Sequence, residues 1–342
     1  MKKSTILIIA ALICFDMHYS FAFELDGILY KALSDSTVEV IGTDLTETES
    51  YYCGNINIPA TIKYDNTEYK VTSISNYTFS SCHDLYSVEF PEGITSIGSG
   101  AFMGCQNLCS VNIPQNITVI ESYTFWGCHS LTSITIPDNV EKIEVNAFYK
   151  CDSLTEITLP NSVVNLGPYS FSECESLSKI NLSSSIKSIP KACFIGCSSL
   201  HEITLPESIV SIDYNAFKDT HLESMTVLAN EVVDVPSLGI YGVTSGLQGI
   251  ENATLYVPSD LVSSYKNHAI WSKHFSQILP LENRSETGGV EKIEVDQALP
   301  FDVYNLSGVL VRRNAMKDNL TDLTPGVYIL RQGNASQKFM VR

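Results

Sequence analysis

Apolar residues return along the middle of the chain with a period of 23 residues. The most regular position holds phenylalanine, which recurs without insertion or deletion at Phe79, Phe102, Phe125, Phe148, Phe171, Phe194 and Phe217. In the first six copies a cysteine lies three residues after the phenylalanine and a leucine three residues after the cysteine, as in Phe148, Cys151 and Leu154. A fixed period of about 20–50 residues is typical of solenoid proteins. The pattern therefore predicts an array of stacked coils.

Each copy predicts one short β-strand. After the leucine, aliphatic and polar residues alternate, as in Ile157, Thr158 and Leu159, which is the period of a strand with one buried face. In five copies a proline ends the strand, because proline has no N–H to donate to a ladder. A second aliphatic pair, such as Val163 and Leu166, completes the unit. One coil cannot bury these side chains alone, so we expect neighbouring coils to share a continuous core.

The array is expected to carry a cap at each end. The regular pattern ends where Thr220 takes the cysteine position and Leu222 comes one residue early. Residues 23–78 are predicted to form an N-terminal hairpin cap with an interrupted first coil. Residues 79–279 are predicted to hold the repeats and a C-terminal cap.

The N-terminal residues 1–22 predict an export signal. A basic start and a short apolar run, residues 5–15, precede the small residues Ser20 and Ala22, so the mature chain is expected to begin near Phe23. The apolar run is shorter than the roughly 20 residues that a membrane span needs. We therefore predict a secreted or cell-surface protein without a transmembrane segment.

The chain is acidic, with 38 Asp and Glu against 21 Lys and Arg and a formal net charge of −17. Nucleic-acid backbones require clustered lysine and arginine, so nucleic acid is not an expected partner. Hydrophobic residues make up 44% and charged residues 17% of the chain, which indicates a folded rather than a disordered protein.

The repeated cysteines form a ladder, not a cluster; they are Cys82, Cys105, Cys128, Cys151, Cys174 and Cys197. A metal ion needs ligands that converge, and in-register thiols about 4.8 Å apart do not reach the mean disulfide Cβ separation of about 3.8 Å. Small buried thiols at a tight turn are the favoured interpretation. The histidines are scattered, and the sequence has no nucleophile elbow, phosphate loop or dinucleotide fingerprint. We therefore expect no enzyme activity, no catalytic residue, no metal and no cofactor.

The repeat unit closely resembles the BspA-like leucine-rich repeats of Bacteroidetes. The matching segments read NAFYKCDSLTEITLP at residues 146–160 and GAFMGCQNLCSVNIP at residues 100–114. The resemblance covers about residues 23–279 and implies a mainly β, right-handed leucine-rich-repeat solenoid of 23-residue coils. It also implies a secreted or surface protein, since several members are adhesins that bind host matrix proteins or neighbouring cells. The family shares no catalytic residues.

The C-terminal part of the chain has a different character. Residues 280–290 lack periodicity and predict a linker. Residues 291–342 alternate apolar and polar positions around turns, which predicts a small β-sandwich-like module. Two of its segments, YNLSG at 304–308 and PGVYIL at 325–330, resemble the C-terminal sorting tails of type IX secretion. The resemblance implies sorting or surface attachment, and a simple end module is the alternative.

Two sets of outward positions are candidate partner-binding residues. The first set consists of polar strand residues: Glu89, Asn112, Thr135, Thr158 and Asn181. The second set consists of large side chains beside the phenylalanines: Met103, Trp126, Tyr149, Tyr123 and Tyr169. Exposed apolar and aromatic residues tend to mark interaction sites, although these side chains could instead fold back and cover the core.

The sequence thus predicts an adhesin-like, non-enzymatic binding protein that uses the solenoid surface. The expected partner is a protein on a host or bacterial surface. A surface carbohydrate-binding module and a passive structural spacer are the alternatives. The ligand itself is not predicted, because a repeat scaffold fixes the shape while outward residues choose the partner.

Overall fold

The computed structural model describes residues 21–42, 52–235, 247–284, 300–305, 310–316, 326–332 and 335–341. The chain forms two compact units, Met1–Arg284 and Ser285–Arg342. Most of the predicted export signal, residues 1–20, lies outside the described residues.

The first unit opens with a sheet that covers the start of the array. The described residues before the first repeat form six strands: β1 (Ala22–Leu25), β2 (Ile28–Ala32), β3 (Thr37–Val40), β4 (Gly54–Asn57), β5 (Thr61–Tyr64) and β6 (Thr67–Ile74). Strands β1, β2 and β3 form an antiparallel meander, β3 pairs in parallel with β6, and β5 pairs antiparallel with β6. Asp26 and Gly27 both have positive φ, +52° and +79°, as the tight turn of a two-residue hairpin requires. The meander begins at Ala22, one residue before the expected mature N-terminus.

Coils of the array contribute short strands at two positions of the 23-residue repeat, whereas the sequence predicted a strand at only one. These are β7 (Leu85–Glu89), β8 (Ser96–Ile97), β9 (Ser110–Val111), β10 (Val119–Ile120), β11 (Lys142–Ile143), β12 (Glu156–Thr158), β13 (Asn165–Leu166), β14 (Lys179–Asn181), β15 (Ser188–Ile189), β16 (Glu202–Leu205) and β17 (Ser211–Ile212). The strand after the leucine builds a first parallel ladder, with β4, β7 and β9 paired and β12 paired with β14. The second aliphatic pair builds a second parallel ladder, in which Ile143 lies opposite Leu166, 23 residues on.

The phenylalanines form a continuous stack inside the array. All seven are fully buried, and neighbouring ring centroids are 5.2–5.9 Å apart with ring planes within 15° of parallel. This is the offset stacking that aromatic rings prefer. Together with the buried leucine and isoleucine columns, the stack makes one core that runs from the N-terminal sheet to the C-terminal cap.

The C-terminal cap closes this core. It contains β18 (Ser224–Val227), β19 (Thr254–Val257), α1 (Val262–Asn267) and β20 (Gln277–Pro280), and 3-10 turns at Ser259–Leu261, Trp271–Lys273 and Leu281–Asn283. Strands β16, β18, β19 and β20 continue the first ladder in parallel. Tyr265 and Trp271 are fully buried. Trp271 Nε1 donates to the Val233 carbonyl at 2.9 Å, and the Val233 N–H donates to the Tyr265 hydroxyl at 3.1 Å.

The second unit contains β21 (Phe301–Asn305), β22 (Leu310–Ala315), β23 (Gly326–Gln332) and β24 (Ala335–Val341). They form one antiparallel sheet in the order β22-β21-β23-β24. Phe301, Val303 and Leu330 are buried. The predicted sandwich-like module would need a second sheet, which the described residues of this unit do not contain.

Candidate functional site

The turn around each phenylalanine uses two residues with left-handed backbone. The first lies two residues before the phenylalanine, with φ between +52° and +63°, at Tyr77, Gly100, Tyr123, Asn146, Tyr169, Ala192 and Asn215. The second lies two residues after it, with φ between +58° and +75°, at Ser81, Gly104, Gly127, Lys150, Glu173, Gly196 and Asp219. Only glycine and, to a lesser degree, asparagine or aspartate adopt this conformation readily. The sequence did not reveal these positions because several coils fill them with other residues.

The cysteine ladder has a structural role in this turn. The thiols of Cys105, Cys128, Cys151, Cys174 and Cys197 each donate to the carbonyl of the phenylalanine in the preceding coil, at 2.9–3.3 Å. The same carbonyl also accepts the cysteine N–H of its own turn, as Phe125 does from Cys128 at 3.2 Å. Each thiol therefore gives a buried carbonyl oxygen a second hydrogen bond. This bond lowers the free-energy cost of burying that carbonyl.

Burial also makes the ladder thiols unreactive. It holds the pKa values of Cys105, Cys151 and Cys197 well above their ordinary value. Burial likewise raises the pKa of Cys193, a buried cysteine outside the ladder, to about 12. Because the thiolate is the reacting form, we expect a thiol reagent to label, among the nine cysteines of the described residues, only the exposed Cys53 and Cys109 in the folded protein. Mass spectrometry after alkylation, with and without denaturant, measures this. Labelling of Cys105 or Cys151 in the folded protein would contradict the expectation.

The five polar candidates of the first set, Glu89, Asn112, Thr135, Thr158 and Asn181, are all exposed. Glu89, Thr158 and Asn181 lie in strands of the first ladder, Asn112 follows directly after β9, and Thr135 lies in residues 131–137, where the predicted strand does not form. We call these five residues the strand face.

Three members of the strand face also hold neighbouring coils together. Asn181 Nδ2 donates to Thr158 Oγ1 at 2.9 Å. The side-chain amide of Asn112 makes two hydrogen bonds to the backbone of Phe90. Its Oδ1 accepts from the N–H at 2.7 Å, and its Nδ2 donates to the carbonyl at 2.9 Å. Asn112 therefore has a structural role that the sequence did not indicate, while Glu89 and Thr135 remain open to solvent.

A groove of about 610 Å³ lies at the C-terminal end of the strand face. Its polar walls include Lys179, Asn181, Glu202, Thr204 and Arg284. The Arg284 guanidinium is 3.6 Å from the Glu202 carboxylate and 3.4 Å from the Thr204 hydroxyl. Arg284 falls within residues 280–290, which the sequence predicts as a linker, so this wall of the groove was not predicted. Contacts between residues 80 positions apart leave no local sequence signal.

The aromatic candidates separate into two groups. Met103, Trp126 and Tyr149, here called the aromatic column, are half-buried. Trp126 and Tyr149 stack on each other, with centroids 5.8 Å apart and planes 10° from parallel. Tyr123 is 37% exposed, and Tyr169 is half-buried with Lys191 Nζ 5.4 Å from its ring centroid. The column thus partly covers the core and partly faces solvent.

Chemistry-bearing groups elsewhere are dispersed. His129 Nδ1 lies 2.6 Å from the Asp152 carboxylate in a half-exposed pair between neighbouring coils. Across the described part of the chain, no three His, Cys, Asp or Glu side chains are grouped as metal ligands would be. Nor do the described residues hold a helix with the length and apolar character of a membrane span.

A family model, described as the BspA type leucine rich repeat region, matches residues 46–141 and 118–236 with six copies. The match covers more than half of the chain. The chain belongs to the BspA-type leucine-rich repeat family. Its predicted mainly β solenoid fold is thereby confirmed, and the resemblance of the tail to type IX sorting domains stays a prediction.

Solved structures of bacterial leucine-rich repeat proteins are similar to this BspA-type chain. A leucine-rich repeat protein from Bacteroides ovatus is 24% identical with a TM-score of 0.53, over 75% of this chain and 67% of its own. The leucine-rich repeat protein of T. pallidum is 23% identical with a TM-score of 0.45, over 60% and 86%. A leucine rich cell surface protein from Faecalibacterium prausnitzii is 19% identical with a TM-score of 0.27, over 79% and 96%. The comparison with curated proteins found no match. At these identities the first structure supports the fold alone.

Proposed function

We propose that this BspA-type protein is a secreted or cell-surface, adhesin-like binding protein that recognises a protein partner through its solenoid surface. The observation that carries the proposal is the strand face, an exposed polar surface shared by consecutive coils that leads into the groove beside Arg284. Such a rigid, extended surface suits recognition of another protein. A cell-surface setting is in keeping with the family and with the absence of a membrane-spanning helix among the described residues.

The aromatic column favours a protein partner over a sugar at that position. Trp126 and Tyr149 stack in offset, near-parallel planes, so each ring covers part of one face of the other. Stacking on sugars needs free ring faces, whereas ring edges can pack against the apolar side chains of a protein partner. Large aromatic side chains also supply much of the binding energy at protein interfaces.

A binding screen tests the proposal. The chain from Phe23 onward would be tested against immobilised host matrix proteins, with a Trp126→Ala, Tyr149→Ala double variant beside it. We expect a matrix protein to bind and the double variant to lose affinity about tenfold or more, while its unfolding temperature falls by only a few degrees. Val210→Ala is the matched control, because Val210 is a large apolar residue that is 59% exposed and lies outside the aromatic column. Absence of binding to every matrix protein, from a folded sample, would favour the spacer alternative.

A further inference from the structure

A row of four tyrosines runs along the turns of the array, one on every second coil. Tyr77, Tyr123 and Tyr169 each lie two residues before the phenylalanine of their coil, and Tyr214 lies three residues before Phe217. Tyr77 is 45% and Tyr123 37% exposed, and the other two are half-buried. We call these four residues the tyrosine row. The row belongs to neither the strand face nor the aromatic column.

Three members of the row have a backbone conformation that is unfavourable for tyrosine. Tyr77, Tyr123 and Tyr169 have φ of +56°, +62° and +59°, a conformation that is uncommon for bulky residues. The coils between them place smaller residues there: Gly100, Asn146 and Ala192. Folding alone would favour glycine or asparagine at every one of these positions. Strained residues of this kind concentrate where a ligand is bound.

The rings lie along the array and reach onto the next coil. A Cβ added to Gly100 would lie 2.4 Å from Cε1 of Tyr77, so the Tyr77 ring occupies the space above Gly100. At the other end of the row, Lys191 Nζ lies 5.4 Å from the Tyr169 centroid and 4.8 Å from the Tyr214 centroid. The Tyr77 ring therefore lies on the next coil, and the Lys191 ammonium lies over the rings of Tyr169 and Tyr214. We call the line of these four tyrosine rings the strip.

The spacing of the strip fits an extended sugar chain. Neighbouring coils are 5.2–5.9 Å apart at the adjacent phenylalanine rings, so the equivalent positions of Tyr77 and Tyr123, two coils apart, are expected to repeat after about 11 Å. In a β-1,4-linked chain of equatorial sugars, each unit is turned over relative to the one before it. The same apolar C–H face therefore returns with every second sugar, at a repeat close to this length. A polyproline II peptide repeats every three residues, after about 9.3 Å, and would fall out of step with the rings along the row.

Polar residues beside the row match the hydroxyls of a neutral sugar. Glu121, Glu144 and Asp213 lie next to the row in their coils and supply acceptors. Asn146 supplies both a donor and an acceptor, and Lys191 supplies donors. These carboxylates, on a chain with a net charge of −17, repel polyanionic glycans.

We propose that the tyrosine row binds a neutral, extended, β-1,4-linked oligosaccharide, stacking every second sugar on the exposed rings of Tyr77 and Tyr123, while the Lys191 ammonium above the Tyr169 and Tyr214 rings donates to its hydroxyls. The proposal stands apart from the protein-binding function, since its residues and its ligand both differ. Either proposal can fail while the other holds.

Isothermal titration calorimetry on the chain from Phe23 onward tests this inference. Cellohexaose and chitohexaose are the probes, cellobiose tests the dependence on length, and α-linked maltohexaose is the control ligand. We expect at least one β-linked hexaose to bind, cellobiose to bind much more weakly and maltohexaose to give no signal.

Tyr123→Asn is the decisive variant, because it places at this position the residue that the next coil carries at Asn146. Asparagine tolerates left-handed backbone, so we expect the unfolding temperature to stay the same or rise while hexaose affinity falls about tenfold. Tyr86→Thr is the matched control, since Tyr86 is 48% exposed and lies outside the row. Its hexaose affinity is expected to stay unchanged.

Several results would overturn the proposal. These are no signal from either β-linked hexaose, equal binding of maltohexaose, equal affinity for cellobiose and the hexaose, or undiminished binding by the Tyr123→Asn variant. An equal loss of affinity in the Tyr86→Thr variant would also overturn it. So would capture of a proline-rich peptide by the row in place of the sugar.

Discussion

Replacing Phe148 by alanine is expected to lower the free energy of unfolding by about 3–5 kcal/mol. Phe148 is fully buried and lies between the rings of Phe125 and Phe171, with centroid distances of 5.2 Å and 5.3 Å. Its removal leaves a cavity in the middle of the stack. The neighbouring rings cannot close this cavity easily, because each is fixed by the turn hydrogen bonds of its own coil, such as that from Cys128 N–H to the Phe125 carbonyl at 3.2 Å.

Urea unfolding followed by circular dichroism measures this loss, with Phe148→Leu as the matched variant. Leucine keeps the position apolar and fills part of the cavity, so its cost is expected to be clearly smaller than that of alanine. Equal costs for the two variants would show that ring stacking, not volume, decides the effect. A loss below about 1 kcal/mol for Phe148→Ala would contradict a tightly packed stack.

The buried half of each coil could be predicted from the sequence, because burial there follows a local alternation. Phe148, Cys151, Leu154 and Ile157 were predicted to point inward, and all four are buried. The second ladder was not predicted as strands. Its members, such as Lys142–Ile143, are only two residues long and show no alternation of their own. They form strands because stacking places them beside the equivalent residues of the next coil.

The outward half of each coil could be predicted only in part. The exposure of the strand-face residues follows from the alternation of side chains between two faces, although Thr135 lies in a coil that forms no strand at that position. The direction of side chains in the turns depends instead on left-handed residues such as Lys150 and Glu173, which carry no glycine signal in the sequence. For this reason the sequence left open whether Trp126 and Tyr149 face solvent or the core, and in the structure both are half-buried.

Replacing Trp271 by alanine is expected to open the C-terminal end of the array, with a loss of about 3–5 kcal/mol from the missing side chain. Trp271 is fully buried, and Tyr265 packs edge-on against it with centroids 5.0 Å apart. Its Nε1–H is also the donor to the Val233 carbonyl at 2.9 Å. Alanine would remove this donor, and an unpaired buried carbonyl adds a further cost of about 1–3 kcal/mol.

The effect of this substitution should be local, in contrast to that of Phe148→Ala. In a solenoid each coil contacts only its neighbours, so loss of a cap destabilises the adjacent coils first. Hydrogen exchange is therefore expected to rise in β18 and β19 at denaturant concentrations that leave β7 and β9 protected. Trp271→Phe is the matched variant, because it retains most of the ring packing and removes only the hydrogen bond. A uniform rise in exchange along the whole array of Trp271→Ala would contradict a local effect. It would mean that the coils unfold as one cooperative unit, which the cap stabilises as a whole.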